Sequence, residues 1–318
     1  MRINRTILIS LFFTLSFSSL ASAAELKNIH FLIPGSLGGG WDMTARNTGE
    51  VLLKSGLVDN VSYENVLGGG GAKAISHLIE TAETQQDTLM VSSTPIVIRA
   101  LTGLFPQSFH ALTPVAATIS DYGAVVTANS SRFKTWQDVI EEFKVNPKNL
   151  KIAGGSARGS MDHLVVAAVF KGHGFDPITV PYVGVDDSAK AVGQLLSGEA
   201  DLLSTGLGEV LSMYHAGQVR ILGITAPKRV PEAADVPTFT ELGSPTVFNN
   251  WRGFFAAPGI SKDKIQRYNQ LFKKMYNTAE WAEVRERNGW TNDYKPHQEF
   301  AQFLEDQRRG SLMRTLQL

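Results

Sequence analysis

Apolar runs of strand length alternate with longer amphipathic stretches along this 318-residue chain, and the alternation breaks and restarts near residue 123. Strands joined by helix-length crossovers pair in parallel, and the crossovers are right-handed, so such a run predicts an α/β sheet with helices on its faces. Residues 29–34 read as a strand, and 42–57 follow as a helix with Met43, Ala45, Val51, Leu52 and Leu53 near helical spacing. A strand at 61–66, a helix ending near 79 and a strand at 89–92 complete a βαβαβ run. The second run opens with a strand at 123–127. Helices at 136–143, 161–173, 188–196 and 210–216 then alternate with strands at 151–153, 179–182, 200–204 and 220–225, which predicts a second α/β sheet.

From residue 227 the texture changes, because Pro231, Pro237, Pro245 and Pro258 punctuate a segment that contains 251–257. Prolines at that density disfavour helix and predict a connection that runs over the surface. Ser261 caps a helix reaching 276, and 279–288 and 297–307 also read as helical. Without a sheet of their own, these helices are expected to pack on the first lobe. The expected fold class is therefore α/β with two lobes, each a sheet flanked by helices, and a ligand cleft between them. Lobe 1 comprises 24–122 and 228–318, lobe 2 comprises 123–227, and the chain crosses near Tyr122 and Pro227.

Residues 1–23 carry the order of a secretory signal: Arg2 and Arg5, an apolar and hydroxyl run from 7 to 20, then Ala21, Ser22, Ala23 and Ala24. The run is shorter than the ~20 residues of a spanning helix, and a cleavage-like site follows it directly. Cleavage after Ala23 or Ala24 and export are expected. The sequence contains no Cys, so neither a lipid-bearing thiol, a disulfide nor a thiolate metal site is available. A freely soluble periplasmic protein is the expectation. Thirty basic residues balance thirty acidic ones, which gives nucleic acid no electrostatic handle.

The loop PGSLGGGWDMTAR at 34–46 stands at the carboxyl end of the first strand and the amino end of the first helix. Unpaired backbone N–H groups and the helix dipole favour an anion there. Gly38, Gly39 and Gly40 let the main chain approach a ligand without a Cβ in the way, Trp41 follows them, and Asp42 is placed to cap the helix. Consecutive glycines followed by a bulky Trp do not spell the dinucleotide fingerprint. The second run repeats this strand-loop-helix position with Ser156, Ala157, Arg158, Gly159 and Ser160. One such loop per lobe, facing across a cleft, grips an anion from both sides. Tyr182 and Gly184 after one strand and Thr205 after another reach the same carboxyl edge, where open α/β sheets bind ligands. Arg158 and Arg252 are the candidates for pairing a second carboxylate.

Catalytic signatures are missing: the seven histidines form no H-E-x-x-H, and no G-x-S-x-G elbow is spelled. Ser160 and His163 share a helix turn, an arrangement that seldom makes a nucleophile and its base. No cofactor or metal is expected. The alternative to a binding protein is an exported enzyme acting on an organic acid or ester.

Six landmarks in order carry a resemblance to a known family: PGSLGGGWDMTAR at 34–46, Glu64-Asn65 before the glycines at 68–71, VPYVG at 180–184, SGEAD at 197–201, VPTFTELG at 236–243 and WRGFFAAP at 251–258. Together they make the chain similar, over its whole mature length, to the periplasmic substrate-binding proteins of tripartite tricarboxylate transporters, the Bug or TctC type. That resemblance implies a periplasmic-binding-protein-like fold whose two loops, here 38–42 and 156–160, pinch one ligand carboxylate with main-chain amides and ordered waters. It also implies a monomeric receptor that captures a small di- or tricarboxylate for membrane permease subunits. Trp41 resembles the citrate-type branch, and Arg158 departs from a mostly small, neutral second loop.

Overall fold

The computed structural model describes residues 26–105 and 107–311, so the expected signal at 1–23 lies outside the described residues. The chain runs β1 (Asn28–Ile33), α1 (Gly40–Lys54), β2 (Asn60–Asn65), α2 (Ala72–Glu80), β3 (Thr88–Ser93) and α3 (Pro95–Leu101). β1 pairs in parallel with β2 on one side and β3 on the other, as the first run of alternation predicts. Phe31, Leu32 and Ile33 with Leu89, Met90 and Val91 are buried, as the strands of a sheet covered on both faces must be.

β4 (Thr113–Ala128) is sixteen residues long and serves both halves of the molecule. Beyond it come α4 (Trp136–Val145), β5 (Ile152–Gly154), α5 (Met161–Gly172), β6 (Tyr182–Gly184), α6 (Ser188–Ser197), β7 (Leu202–Gly206), α7 (Leu207–His215) and β8 (Val219–Ile224). The C-terminal part of β4 pairs antiparallel with β7 and β8, and β5 lies parallel between β6 and β7. β9 (Asn249–Ala256), α8 (Lys262–Tyr276), α9 (Ala279–Arg287), β10 (Thr291–Pro296) and α10 (His297–Asp306) complete the described chain. The strand order is β2-β1-β3-β9-β4-β7-β5-β6, with β8 and β10 added on β4.

The segment after Pro227 differs from the surface connection expected of it. β9 is inserted antiparallel between β3 and the first part of β4, and Trp251, Phe254, Phe255 and Ala256 are almost wholly buried. Pro245 and Pro258 flank this strand without interrupting it, which leaves its ladder of N–H donors intact. The terminal helices also have a strand of their own, since β10 pairs antiparallel with β4. Tyr268, Phe272, Trp281 and Phe300 from α8, α9 and α10 pack with Phe31, Val91 and Phe254 in one core.

That core draws on residues 26–119 and 251–304. Two adjoining cores draw on residues between 124 and 239, among them Val230, Val236 and Phe239. The residues after Pro227 thus pack with the second group of strands, and the chain rejoins the first core at β9. Tyr122 on β4 faces Asn249 on β9, and the next residue, Gly123, faces Gly206 on β7.

Candidate functional site

α1, α5 and α7 begin at the carboxyl ends of β1, β5 and β7, and their first turns meet at one cavity of about 80 Å³. Gly39, Gly40 and Trp41 line it from α1, Ser160, Met161 and Asp162 from α5, and Gly206 and Glu209 from α7. The first turn of a helix carries N–H groups without intrahelical acceptors, and the dipole adds partial positive charge. At α1 and α5 the caps, Gly39 and Ser160, make no side-chain capping bond, so these donors are not consumed by their own cap. Helix ends from both groups of strands therefore converge on a single small space.

In the first loop Gly40 is required sterically, because a Cβ there would lie 2.1 Å from Nη2 of Arg252. Trp41 is fixed by its indole N–H, which donates to Ser93 Oγ at 3.0 Å. Asp42 is not the cap. It sits in the first turn of α1, where Oδ2 accepts from Gly38 N at 3.0 Å and Oδ1 accepts from Arg46 Nε at 2.8 Å and Asn65 Nδ2 at 3.0 Å. Its carboxylate ties the loop back onto the helix and β2 behind the cavity wall.

The second loop uses the same device. Asp162 Oδ2 accepts from Ser156 N at 2.9 Å, while Ser156 Oγ accepts from Asp162 N at 3.2 Å. Tyr182 supports the loop from below, its hydroxyl donating to Ser156 O at 2.5 Å. Gly184 must lack a side chain, since a Cβ would stand 2.4 Å from that same Ser156 carbonyl. Arg158 turns away from the cavity and donates through Nη2 to Tyr182 O at 3.2 Å.

Of the residues expected from sequence, Gly39, Gly40, Trp41, Ser156, Ala157 and Ser160 line the cavity. Gly38, Asp42, Arg158, Gly159, Tyr182, Gly184 and Thr205 stand outside its lining and shape the loops or the strand ends behind it. Ser36, Asp162, Asp186, Ser188, Glu209 and Asn250 line it without having been singled out. Asp162 and Glu209 had a readable signal, because each follows a helix-capping glycine or serine by two or three residues, as Asp42 follows Gly39.

Arg252, on β9, reaches the cavity but is not available as an uncompensated cation. It is 3% exposed, its Nη2 lies 3.0 Å from Asp121 Oδ2 and 3.8 Å from Glu209 Oε1, and Nη1 donates to Thr44 Oγ1 at 3.3 Å. Burial pushes the Asp162 carboxyl up to about 6, against hydrogen bonds from Ser156 and the charge of Arg252. Burial, then repulsion from Asp162, pushes Glu209 up to about 7, again opposed by Arg252. Near neutral pH these two acids hold protons part of the time and then donate hydrogen bonds instead of repelling an anion. Asn250 adds a buried carbonyl oxygen without a hydrogen-bond partner.

Ser188 N donates to Ser36 Oγ at 3.0 Å, which ties the first loop to the start of α6 across the cavity. Ser160 Oγ accepts from Arg99 Nη1 at 3.0 Å, and His163 Nδ1 accepts from Gly159 N at 3.2 Å, so these two side chains are engaged separately. Among the described residues no cluster of three or more acidic or histidine side chains is placed to hold a metal.

Residues 45–318 match the sequence model of the tripartite tricarboxylate transporter family receptor. A protein of Pseudomonas sp. (strain P51), the UPF0065 protein in the tcbD-tcbE intergenic region, is 26% identical over 269 residues, which is 83% of this chain and 78% of the relative. A Rhodopseudomonas palustris protein solved with adipate superposes with a TM-score of 0.80 at 21% identity, covering 92% of this chain and 97% of that one. MatC from Rhodopseudomonas palustris with bound malate gives 0.76 at 19% identity, with 89% and 96% covered. These likenesses establish a two-lobed α/β fold shared with those proteins.

Proposed function

The chain belongs to the tripartite tricarboxylate transporter receptor family, and from that premise we propose that it is an exported periplasmic receptor, monomeric, which closes on a small di- or tricarboxylate and presents it to membrane permease subunits. The observation that carries this reading is the convergence of the α1, α5 and α7 first turns on one cavity. Backbone donors from two separately cored groups of strands suit an anion held between lobes. In this reading lobe 1 is the core built on 26–119 and 251–304, lobe 2 the cores between 124 and 239, and the crossings lie in β4 at Tyr122 and just before β9.

The cavity's about 80 Å³ corresponds to on the order of six water sites, which favours a four-carbon acid over a bulky one. Malate in MatC is a ligand of that size. One ligand carboxylate faces the amides of Gly40, Trp41 and Met161, and the carboxyls of Asp162 and Glu209 donate to it when protonated. An enzyme reading needs a nucleophile within reach of its base, and the separate engagement of Ser160 and His163 speaks against it.

A thermal-shift screen of mono-, di- and tricarboxylates and neutral analogues, followed by calorimetry and an NMR check for product, tests the reading. Di- or tricarboxylates are expected to bind at micromolar Kd or tighter, about −8 kcal/mol, without turnover. A neutral compound that binds more tightly than every acid, or conversion of any acid, overturns it.

A further inference from the structure

Arg99 is a buried cation beside the cavity to which neither the family loops nor the reading above gives a role. It stands on α3 and is 7% exposed; among the described residues its side chain makes one hydrogen bond, from Nη1 to Ser160 Oγ at 3.0 Å, and its guanidinium lies over the Phe105 ring at 5.1 Å. Its Nε has no hydrogen-bond partner. Among the described residues no carboxylate lies within ion-pair distance of it, and Asp186 acts on it only at longer Coulombic range. A neutral hydroxyl leaves the charge of a desolvated guanidinium uncompensated, a costly arrangement unless an anion completes it.

The surroundings hold this charge directly behind two residues of the cavity wall. A Cβ at Gly70 would lie 2.7 Å from Nη1 and 2.8 Å from Cζ of Arg99, so the guanidinium packs flat on that glycine, whose φ is 62°. Gly70 and Ser160 both line the cavity. Ile98, the residue before Arg99, packs with Met161, Leu164 and Val165 of α5, which places α3 beside the second loop. Arg252, by contrast, packs on Gly40 and is already paired with Asp121 at 3.0 Å. Arg252 thus lines the cavity and is paired within the protein, whereas Arg99 stands directly behind Gly70 and Ser160 and has no carboxylate partner among the described residues.

We infer that Arg99 is the residue that recognises a second carboxylate on the ligand and makes the receptor selective for dicarboxylates over monocarboxylates. This rests on the receptor reading above. A planar fork of donors matches carboxylate geometry, and a desolvated charge gains more from an anion than an exposed one does. A ligand with one carboxylate occupies the amides of the helix ends and leaves Arg99 uncompensated. A ligand with two engages both.

The test compares succinate with butyrate, which shares its carbon count but has a single carboxylate, by calorimetry on the wild type, Arg99→Gln, Arg99→Lys and Ser160→Ala. Wild type is expected to prefer succinate, Arg99→Gln to lose about 30-fold or more on succinate and less than about 3-fold on butyrate. Arg99→Lys, which keeps the charge without the fork, gives an intermediate loss on succinate alone, so it decides the question even if Arg99→Gln folds poorly. Ser160→Ala retains the preference for succinate. Equal losses on both acids in the Arg99 variants, or loss of the preference in Ser160→Ala, would show that Arg99 only clasps the second loop, and would overturn the inference. A wild type that binds succinate and butyrate equally overturns it alone, whereas a wild type that binds no carboxylate overturns the receptor reading as well.

Discussion

Nη2 of Arg252 lies 3.0 Å from Oδ2 of Asp121, and both side chains are almost wholly withdrawn from solvent. The pair joins β9 to β4 at the residues where the chain passes between the two groups of strands. Gly208 N also donates to Asp121 Oδ1 at 3.3 Å, which brings the start of α7 to the same point. The arginine that sequence offers for a ligand carboxylate is thus built into the floor of the cleft.

Removing one member of this pair strands the other. Asp121→Ala is expected to lower unfolding free energy by about 3–5 kcal/mol, as loss of one partner of a buried ion pair does. The double variant Asp121→Ala, Arg252→Met should cost less than the sum of its two single changes, since neither member of the pair is then left without the other. Urea denaturation of the four proteins checks this. A single-variant cost under about 1 kcal/mol would mean that Glu209, at 3.8 Å, already supplies the counter-charge.

Gly39 separates binding from folding. Its φ is −74°, an ordinary value for any residue, so a side chain there brings no backbone strain. A Cβ, however, would stand 2.8 Å from Ser188 Oγ, across the cavity. Gly39→Val should keep the thermal stability of the ligand-free protein and weaken carboxylate binding by about 100-fold, the equivalent of a closure obstructed by under 3 kcal/mol. An unchanged Kd by calorimetry would remove this contact from the binding step.

The two raised carboxyls predict a pH dependence of defined sign. Asp162 at about 6 and Glu209 at about 7 stand above their ordinary values of 3.8 and 4.5, so the native chain holds more protons than the unfolded chain between those limits. Their contribution to stability is fully present below about pH 4 and fades as pH rises through 6 and 7. An anion bound beside them raises their proton affinity further, so binding takes up protons and weakens as pH rises from about 5.5 to 8. Calorimetry near pH 6.5 in buffers of different ionisation enthalpy reads the uptake, and Glu209→Gln should diminish it. Absence of uptake in the wild type would mean that Arg252 keeps both acids ionised.

What the sequence revealed and what it hid follow one physical rule. β1 with α1, and β5 with α5, were legible because a short apolar run, a glycine loop and a helical period stand in order at 29–54 and 152–172. β9 was not, because Trp251, Phe254 and Phe255 are covered on both faces and lose the alternation that marks a half-buried strand, while prolines on either side mimic a surface loop. The first part of β4, with Val115, Ala116, Ala117 and Ile119 all buried, was missed for the same reason. At the site, the loop amides were readable from glycine placement, but direction was not. Sequence shows that Arg158, Arg252 and Arg99 are charged; only packing shows that the first turns away, the second is paired and the third is not.

Closure is the last step that the geometry makes testable. Ser188 N and Ser36 Oγ, 3.0 Å apart, belong to opposite sides of the cavity, and so do Arg99 and Ser160. Two hydrogen bonds to hydroxyls are each worth only about 1 kcal/mol net, too little to hold two lobes together against the hydration of the helix ends they cover. An anion that accepts from α1 and α5 at once adds charge-assisted bonds in a space from which water is excluded, where each is stronger. The closed form should therefore dominate only with ligand, and the motion should concentrate at the crossings, Tyr122–Gly123 on β4 and the residues just before β9. Small-angle scattering is expected to show a smaller radius of gyration at saturating dicarboxylate than without it. Ser36→Ala, which removes one of the two cross-cavity bonds, should leave that compaction in place, because the ligand supplies most of the closing free energy. A radius that does not change on saturation would mean that the lobes are already closed or rigid, and capture by closure would be wrong.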